Sequence, residues 1–142
     1  MNPRTQPTSP NEIRNLLTIV DRDLRNADVP GLDTDGIFRF LYTAALQLAT
    51  ILVRLREERF GGAGHHRNTL RRARELVPPE LDSHAAALEH ARRKRHASIY
   101  DQAGVVTQAD VAALRDAIDG LKPWIAEEAE AVLKGSRGQD RT

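Results

Sequence analysis

The chain has 142 residues, of which 40% are hydrophobic and only 4% are aromatic. This length suits one compact domain, and a core with few aromatic residues favours helices over a sandwich of strands, so the composition predicts an all-α fold. A net charge of +1 and the absence of cysteine exclude a globally basic nucleic-acid binder, a disulfide scaffold and a cysteine-ligated zinc site.

The first predicted element follows a polar N-terminal segment. Residues 1–8 contain two prolines and no apolar stretch, so we expect them to be disordered and to carry no signal peptide. Ser9, Pro10 and Glu12 supply an N-cap, a proline at the first helical position and a capping-box glutamate. They predict a helix whose apolar positions recur at helical spacing, at Ile13, Leu16, Leu17, Val20 and Leu24.

The second predicted helix is the longest and has either Asp33 or Thr34 as its N-cap. Its apolar face is broad and contains small alanines that permit close helix packing. The most apolar segment, residues 40–53, includes Gln47 and is shorter than the ~20 residues that a membrane span requires. We therefore expect a buried central helix, no membrane contact and a cytoplasmic location.

Three further helices are predicted after the glycine-rich loop at residues 61–64. A short helix begins at His65 and stops at Pro78-Pro79, and a fourth helix starts near Leu81. The last helix follows a capping box, residues 107–110, and we expect a kink at its Gly120 and Pro123.

These elements predict a four-helix bundle with one additional short helix. The helical domain should occupy residues 9–134, and residues 135–142 should form a disordered tail.

The glycine loop and the histidine pair after it are weak site candidates. The GGAG sequence lacks the Gly-Lys-Ser/Thr ending and the preceding strand of a phosphate loop. No Asp, Glu or His lies three or four residues after either histidine to complete a set of metal ligands. We predict no metal and no cofactor, and we interpret His65 and His66 as helix-start residues that pack beneath the loop.

The fourth helix carries the strongest candidate site, in the stretch ARRKRHASIYD. At 100° per residue, Arg93, His96 and Tyr100 share one stripe of this helix. Arginine binds phosphate bidentately, histidine transfers protons near neutral pH, and a tyrosine hydroxyl can orient or accept a phosphoryl group. The alternative interpretation is an ordinary solvated basic face.

A neighbouring stripe of the same helix should face the core and contains Arg95 beside Leu88 and Ala91. A guanidinium at such a position needs a partner. Asp101 or an acidic residue of another helix could supply it.

The chain resembles the HEPN (higher eukaryote and prokaryote nucleotide-binding) domains over residues 9–134. The resemblance rests on FLYTAALQLATILVRLRE, GHHRNTLRRARELV, ARRKRHASIYD and VTQADVAALRDAI. It implies four main helices plus a short one and a two-fold homodimer. It also implies either a metal-independent endoribonuclease or an inactive binding module, in several cases paired with a nucleotidyltransferase as a toxin–antitoxin couple.

The active HEPN motif has an arginine, four to six residues, a histidine and commonly a tyrosine two residues later. Placing that tyrosine at Tyr100 puts the arginine at Arg93, and Ser98 then replaces the histidine. An alternative alignment makes Arg95 the arginine, with His96 as the nearby imidazole.

The sequence thus leads us to expect a toxin–antitoxin or defence protein that binds RNA or a nucleotide at a basic cleft between two copies of the fourth helix. The expected catalytic residues are Arg93, Arg95, His96 and Tyr100. The expected nucleotide- or phosphate-binding residues are Arg92, Arg93, Arg95, Ser98 and Asp101. A non-catalytic HEPN module and a plain helical scaffold are the alternatives.

Overall fold

The computed structural model describes residues 2–100 and 105–140, with side chains described through residue 97 and from residue 105 to 135. Five α-helices account for most of this part of the chain, which confirms the all-α fold. They are α1 (Pro10–Ala27), α2 (Thr34–Leu55), α3 (His65–Leu76), α4 (Asp82–Tyr100) and α5 (Gln108–Asp140). A 3-10 turn, Pro79–Leu81, precedes α4, and two short strands, β1 (Arg4–Thr5) and β2 (Glu58–Arg59), complete the fold.

Three helices begin where their capping residues predict. The Ser9 hydroxyl accepts a 3.1 Å hydrogen bond from the backbone N–H of Glu12, and α1 starts with Pro10 in its first turn. Asp33, and not Thr34, is the N-cap of α2. Before α5, the Thr107 backbone N–H donates to Asp110 at 2.9 Å, and the Asp110 N–H donates to the Thr107 hydroxyl at 3.1 Å.

The N-terminal segment differs from its predicted disorder. Arg4 pairs with Arg59 and Thr5 with Glu58 in a two-stranded antiparallel sheet. The pairing partner exists because α2 ends at Leu55, ahead of the glycine loop, and Glu57, with a φ of 57°, turns the chain into β2. The short strand β2 has no period-2 apolar pattern, so the sequence could reveal neither the strand nor the early end of α2 before it.

The core lies around α2, which packs against α1, α3, α4 and α5. By length and composition α2 could cross a membrane, but 61% of its most apolar window is buried inside the bundle. Alanines at 44, 45 and 49 are fully buried and let the neighbouring helices approach closely. The other helices contribute one apolar stripe each, for example Ile118, Leu121 and Ile125 of α5.

The last helix is longer than predicted. It runs without interruption across Gly120 and Pro123 and reaches Asp140, so residues 135–140 are helical where we expected a tail. The buried stripe continues through Ala129 and Leu133. Residues 135–142 contain no proline that would end the helix. Gly120 has a packing role, because a Cβ there would come within 2.5 Å of Nε2 of His84.

Candidate functional site

A cavity of about 910 Å³ opens between α2, the start of α3 and α4. We call it the arginine cleft because four arginines line it, Arg39, Arg67, Arg92 and Arg95. The other lining residues are Tyr42, Thr43, Leu46, Gln47, Ala63, Gly64, His65, His66 and His96. Its volume lies within the range of ~300–1,000 Å³ that is usual for small-molecule sites.

Helical spacing places the side chains of the arginine cleft. On α2, Arg39, Tyr42 and Leu46 follow one another at three and four residues and share one side. On α4, burial of Leu88 and Ala91 fixes the rotation of the helix about its axis. Arg92 and Arg95 therefore lie at the edge of the packed face, one turn apart.

The arginines of the cleft lack carboxylate partners in the part of the chain that the structure describes. No ion pair within 4.0 Å involves Arg39, Arg67, Arg92 or Arg95 there. Burial and the positive charge of Arg39 lower the pKa of Arg95, while Tyr42 and Asp35 act in the opposite direction. Like charges held together beside a cavity favour an anionic ligand, which would relieve their repulsion.

Tyr42 places a phenol in the wall of the cleft. Only 8% of this residue is exposed. Burial raises the pKa of Tyr42, and the charges of Arg92 and Arg95 oppose that rise. The hydroxyl therefore stays protonated at neutral pH and can donate a hydrogen bond.

His65 and His66 lie at the mouth of the cleft instead of packing beneath the glycine loop, and both are exposed. Their rings meet edge to face with centroids 4.1 Å apart, and Nδ1 of His65 lies 3.0 Å from the Gly62 carbonyl oxygen. Partial burial and the neighbouring His65 lower the pKa of His66. The lowered pKa favours the neutral form of the His66 imidazole, which can accept a proton.

The structure brings together some of the residues expected to form the site and separates others. Arg92, Arg95 and His96 line the cleft. Arg93 is exposed and is not a lining residue, so the expected stripe of Arg93 with His96 does not form the cleft wall. Ser98 and Tyr100 belong to α4 but their side chains are not described, and Asp101 lies outside the described residues.

Sequence reasoning missed Arg39, Tyr42 and Arg67. Arg39 and Tyr42 lie three residues apart beside the apolar face of α2. This spacing is only a weak indication of a binding site, since many surface arginines lie beside such faces. Arg67 is one of several arginines on α3, and only the tertiary fold selects it.

No group of three or more His, Asp and Glu side chains within residues 2–97 and 105–135 could hold a metal ion. The chain matches no protein-family model, no curated protein and no solved structure.

Proposed function

We propose that this chain is a HEPN-type protein that binds RNA or a nucleotide through phosphate contacts in the arginine cleft. One observation carries the proposal: Arg39, Arg92 and Arg95 converge on a single cavity and form no ion pair with the described carboxylates. Guanidinium groups match the geometry of phosphate oxygens and can bind them bidentately. A plain scaffold would gain nothing from holding these charges together.

The proposal includes the two-fold homodimer, the nucleotidyltransferase partner and the role in defence or toxin–antitoxin function that the HEPN resemblance implies. Light scattering coupled to size-exclusion chromatography tests the dimer. Co-purification with a nucleotidyltransferase encoded next to the gene tests the partner, and growth inhibition on expression tests a toxic activity.

Binding is tested by fluorescence anisotropy with a labelled single-stranded RNA at several salt concentrations. A hydrogen bond to a charged group contributes about 1.5–3 kcal/mol, so Arg92→Gln and Arg95→Gln should each weaken binding by at least about ten-fold. Each should also reduce the slope of log affinity against log salt by about one.

Arg93→Gln is the matched control, because Arg93 lies on the same helix, carries the same charge and is exposed outside the cleft. We expect its affinity to remain within about two-fold of wild type, as for a charge without a direct phosphate contact. Equal losses in Arg93→Gln and Arg95→Gln would contradict binding in the cleft.

A second function, metal-independent RNA cleavage, is favoured by the two imidazoles His66 and His96 in the same cleft. Neutral His66 can take the proton of a ribose 2′-hydroxyl as that oxygen attacks the adjacent phosphorus. The 5′-oxygen then leaves with a proton, which His96 can supply, and a 2′,3′-cyclic phosphate remains. The arginines would stabilise the charge on the phosphorane oxygens.

This activity is tested by mass spectrometry of RNA products formed in the presence of EDTA. Cyclic phosphate ends should appear with wild type and with His90→Ala, an exposed residue of α4 outside the cleft. They should disappear with His66→Ala and His96→Ala. Cleavage that persists in both variants would eliminate the histidine mechanism.

A further inference from the structure

Another cavity, of about 370 Å³, lies between α3, β2 and the residues before β1. We call it the α3 cavity, and it is lined by Asn2, Pro3, Glu58, Phe60, Asn68, Arg71, Arg72 and Glu75. It shares none of these residues with the arginine cleft. Its volume lies at the lower end of the ~300–1,000 Å³ that is usual for small-molecule sites.

Helical spacing gathers four polar side chains of α3 along this cavity. They recur at three and four residues and therefore share one side of the helix, and they are Asn68, Arg71, Arg72 and Glu75. The opposite, apolar side of α3 packs into the core and fixes the rotation of the helix. The polar side is thus held toward the cavity.

Asn68 is the most buried residue of the lining and is only 7% exposed. Its side-chain amide forms no hydrogen bond with any described residue. The amide is not sealed in the core, since the fully enclosed polar atoms without a partner in the described part of the chain belong to Asp23, Asp35 and Arg59. Its N–H groups and its oxygen therefore open into the cavity, where a ligand can pair with them.

Arg71 brings an available guanidinium to the same side of α3. It is exposed, and it forms no hydrogen bond and no ion pair within 4.0 Å among the residues that the structure describes. The neighbouring Arg72 is instead engaged, because its Nε and Nη2 donate to the two carboxylate oxygens of Glu58 at 2.9 and 3.0 Å. Arg71, and not Arg72, is therefore the guanidinium that can bind a ligand carboxylate bidentately.

Glu75 places the opposite charge one helical turn after Arg71. Residues four apart on a helix have Cβ atoms about 5–6 Å from each other, which is close enough for an ion pair. These two side chains nevertheless form no ion pair within 4.0 Å, and Oε2 of Glu75 lies 3.8 Å from Nη1 of Arg72. A guanidinium and a carboxylate that lie side by side without pairing suit a ligand that carries both charges.

The charges of the α3 cavity balance one another. Two carboxylates, Glu58 and Glu75, and two guanidinium groups, Arg71 and Arg72, contribute to its lining. A phosphate would meet repulsion from the two carboxylates, and a simple cation would meet repulsion from the two guanidinium groups. A small zwitterion matches this arrangement, in contrast to the anion that suits the arginine cleft.

Phe60 and Pro3 supply the apolar part of the lining, and both are partly buried. A ligand that covers the Phe60 ring removes apolar surface from water, which favours binding. The zwitterionic group of the ligand should therefore carry an apolar side chain.

We infer that the α3 cavity binds a free amino acid with an apolar side chain. The α-carboxylate accepts hydrogen bonds from Arg71 and from the amide N–H of Asn68. The α-ammonium group donates to Glu75, and the side chain packs on Phe60. This site is separate from the arginine cleft and does not depend on the proposed function.

Isothermal titration calorimetry with L-phenylalanine and L-leucine tests the inference. The matched probes are N-acetyl-L-phenylalanine, which has no ammonium group, and L-phenylalaninamide, which has no carboxylate. L-Phenylalanine should bind at least about ten-fold more tightly than either derivative, since each derivative loses hydrogen bonds between charged groups. Glycine should also bind at least about ten-fold more weakly, because it has no side chain to cover the Phe60 ring.

Two variants identify which charge of the ligand each residue binds. Arg71→Gln should weaken L-phenylalanine by at least about ten-fold and leave L-phenylalaninamide within about two-fold of wild type. Glu75→Gln should weaken L-phenylalanine equally and leave N-acetyl-L-phenylalanine within about two-fold. Both residues are exposed, so neither substitution disturbs the core.

The control is Arg67→Gln, which removes an exposed arginine one turn before Arg71, outside the α3 cavity. It should leave the affinities for all the amino-acid probes unchanged. Binding of neither L-phenylalanine nor L-leucine would overturn the inference. Affinity that is equal for L-phenylalanine and its two derivatives, or that survives both Arg71→Gln and Glu75→Gln, would also overturn it. Each of these results leaves RNA binding in the arginine cleft intact, because the two cavities share no residue.

Discussion

The guanidinium of Arg54 and the carboxylate of Glu12 form a two-point ion pair, with 2.9 Å between Nε and Oε1 and 3.1 Å between Nη2 and Oε2. Arg54 is only 1% exposed, and its N–H groups also donate to the carbonyl oxygens of Gln6, Pro7 and Glu58. The Arg54 side chain of α2 thus forms hydrogen bonds to the N-terminal segment, to α1 and to β2 at the same time. This arrangement places Gln6 and Pro7 against α2.

Arg54→Ala should lower the free energy of unfolding by about 3 kcal/mol, because it leaves three backbone carbonyls without their donor in a largely buried site and leaves Glu12 with only Arg59 and Thr8 as donors among the described residues. Urea denaturation at neutral pH measures the change. Arg14→Ala is the control: among the described residues the side chain of this exposed arginine of α1 bonds to Asn11 alone, at 3.3 Å, and its loss should cost less than about 0.5 kcal/mol. Similar losses in both variants would contradict the anchoring role of Arg54.

Stability should depend on pH through Glu12. Its hydrogen bond from Arg54 is the largest cause that holds the pKa of Glu12 below its ordinary value of 4.5. A lowered folded-state pKa means that the charged form stabilises the fold. This stabilisation is complete above the unfolded pKa and is lost as the pH falls through the folded pKa.

The pH dependence is measured by urea unfolding between neutral and strongly acidic pH. Wild type should lose stability more steeply below the ordinary glutamate pKa than Glu12→Gln, which has no carboxylate to protonate. Parallel curves for the two proteins would show that Glu12 does not contribute.

Helix starts could be predicted from sequence because they depend on local chemistry. Ser9 and Thr107 each form hydrogen bonds within three residues, so the pattern of residue types contains the whole interaction. The order of N-terminal residues 2–8 could not be predicted in this way. It depends on Arg54, which is 48 residues from Gln6 and 47 residues from Pro7 along the chain.

The candidate site was predicted only in part, for a similar reason. The basic run of α4 contains Arg92, Arg95 and His96, which the structure places along one cavity. Whether Arg92 or Arg93 faces the arginine cleft depends on how α4 is rotated about its axis. The packing of Leu88 and Ala91 fixes that rotation. The contributions of α2 and α3 depend on which helices become neighbours.

Gly120→Ala should destabilise the protein by about 1–3 kcal/mol, although alanine is the better helix former, because the new methyl group overlaps the His84 ring. Gly135→Ala on the same helix is the matched control. No atom of the described residues lies within 4 Å of its Cβ position, so it should gain about 0.5–1 kcal/mol. Thermal unfolding compares the two variants.

His84→Ala should restore most of the stability of Gly120→Ala, because it removes the side chain that the methyl group meets. If the effects of the two substitutions simply add, the contact between His84 and Gly120 is not the cause.

Arg39→Gln should separate stability from ligand binding. The charge of Arg39 helps to lower the pKa of Arg95, so the two guanidinium groups repel each other in the ligand-free protein. Removing the Arg39 charge should raise the urea midpoint at low ionic strength, and the gain should vanish at high salt, which screens an exposed charge such as Arg39.

The same Arg39→Gln substitution should weaken RNA binding, because the positive charge that repels Arg95 is also a charge that attracts the phosphate in the cleft. Arg14→Gln, which removes an exposed arginine from α1, should change neither property. A loss of both stability and affinity in Arg39→Gln would mean that Arg39 supports the fold, and the cleft would then have one phosphate ligand fewer.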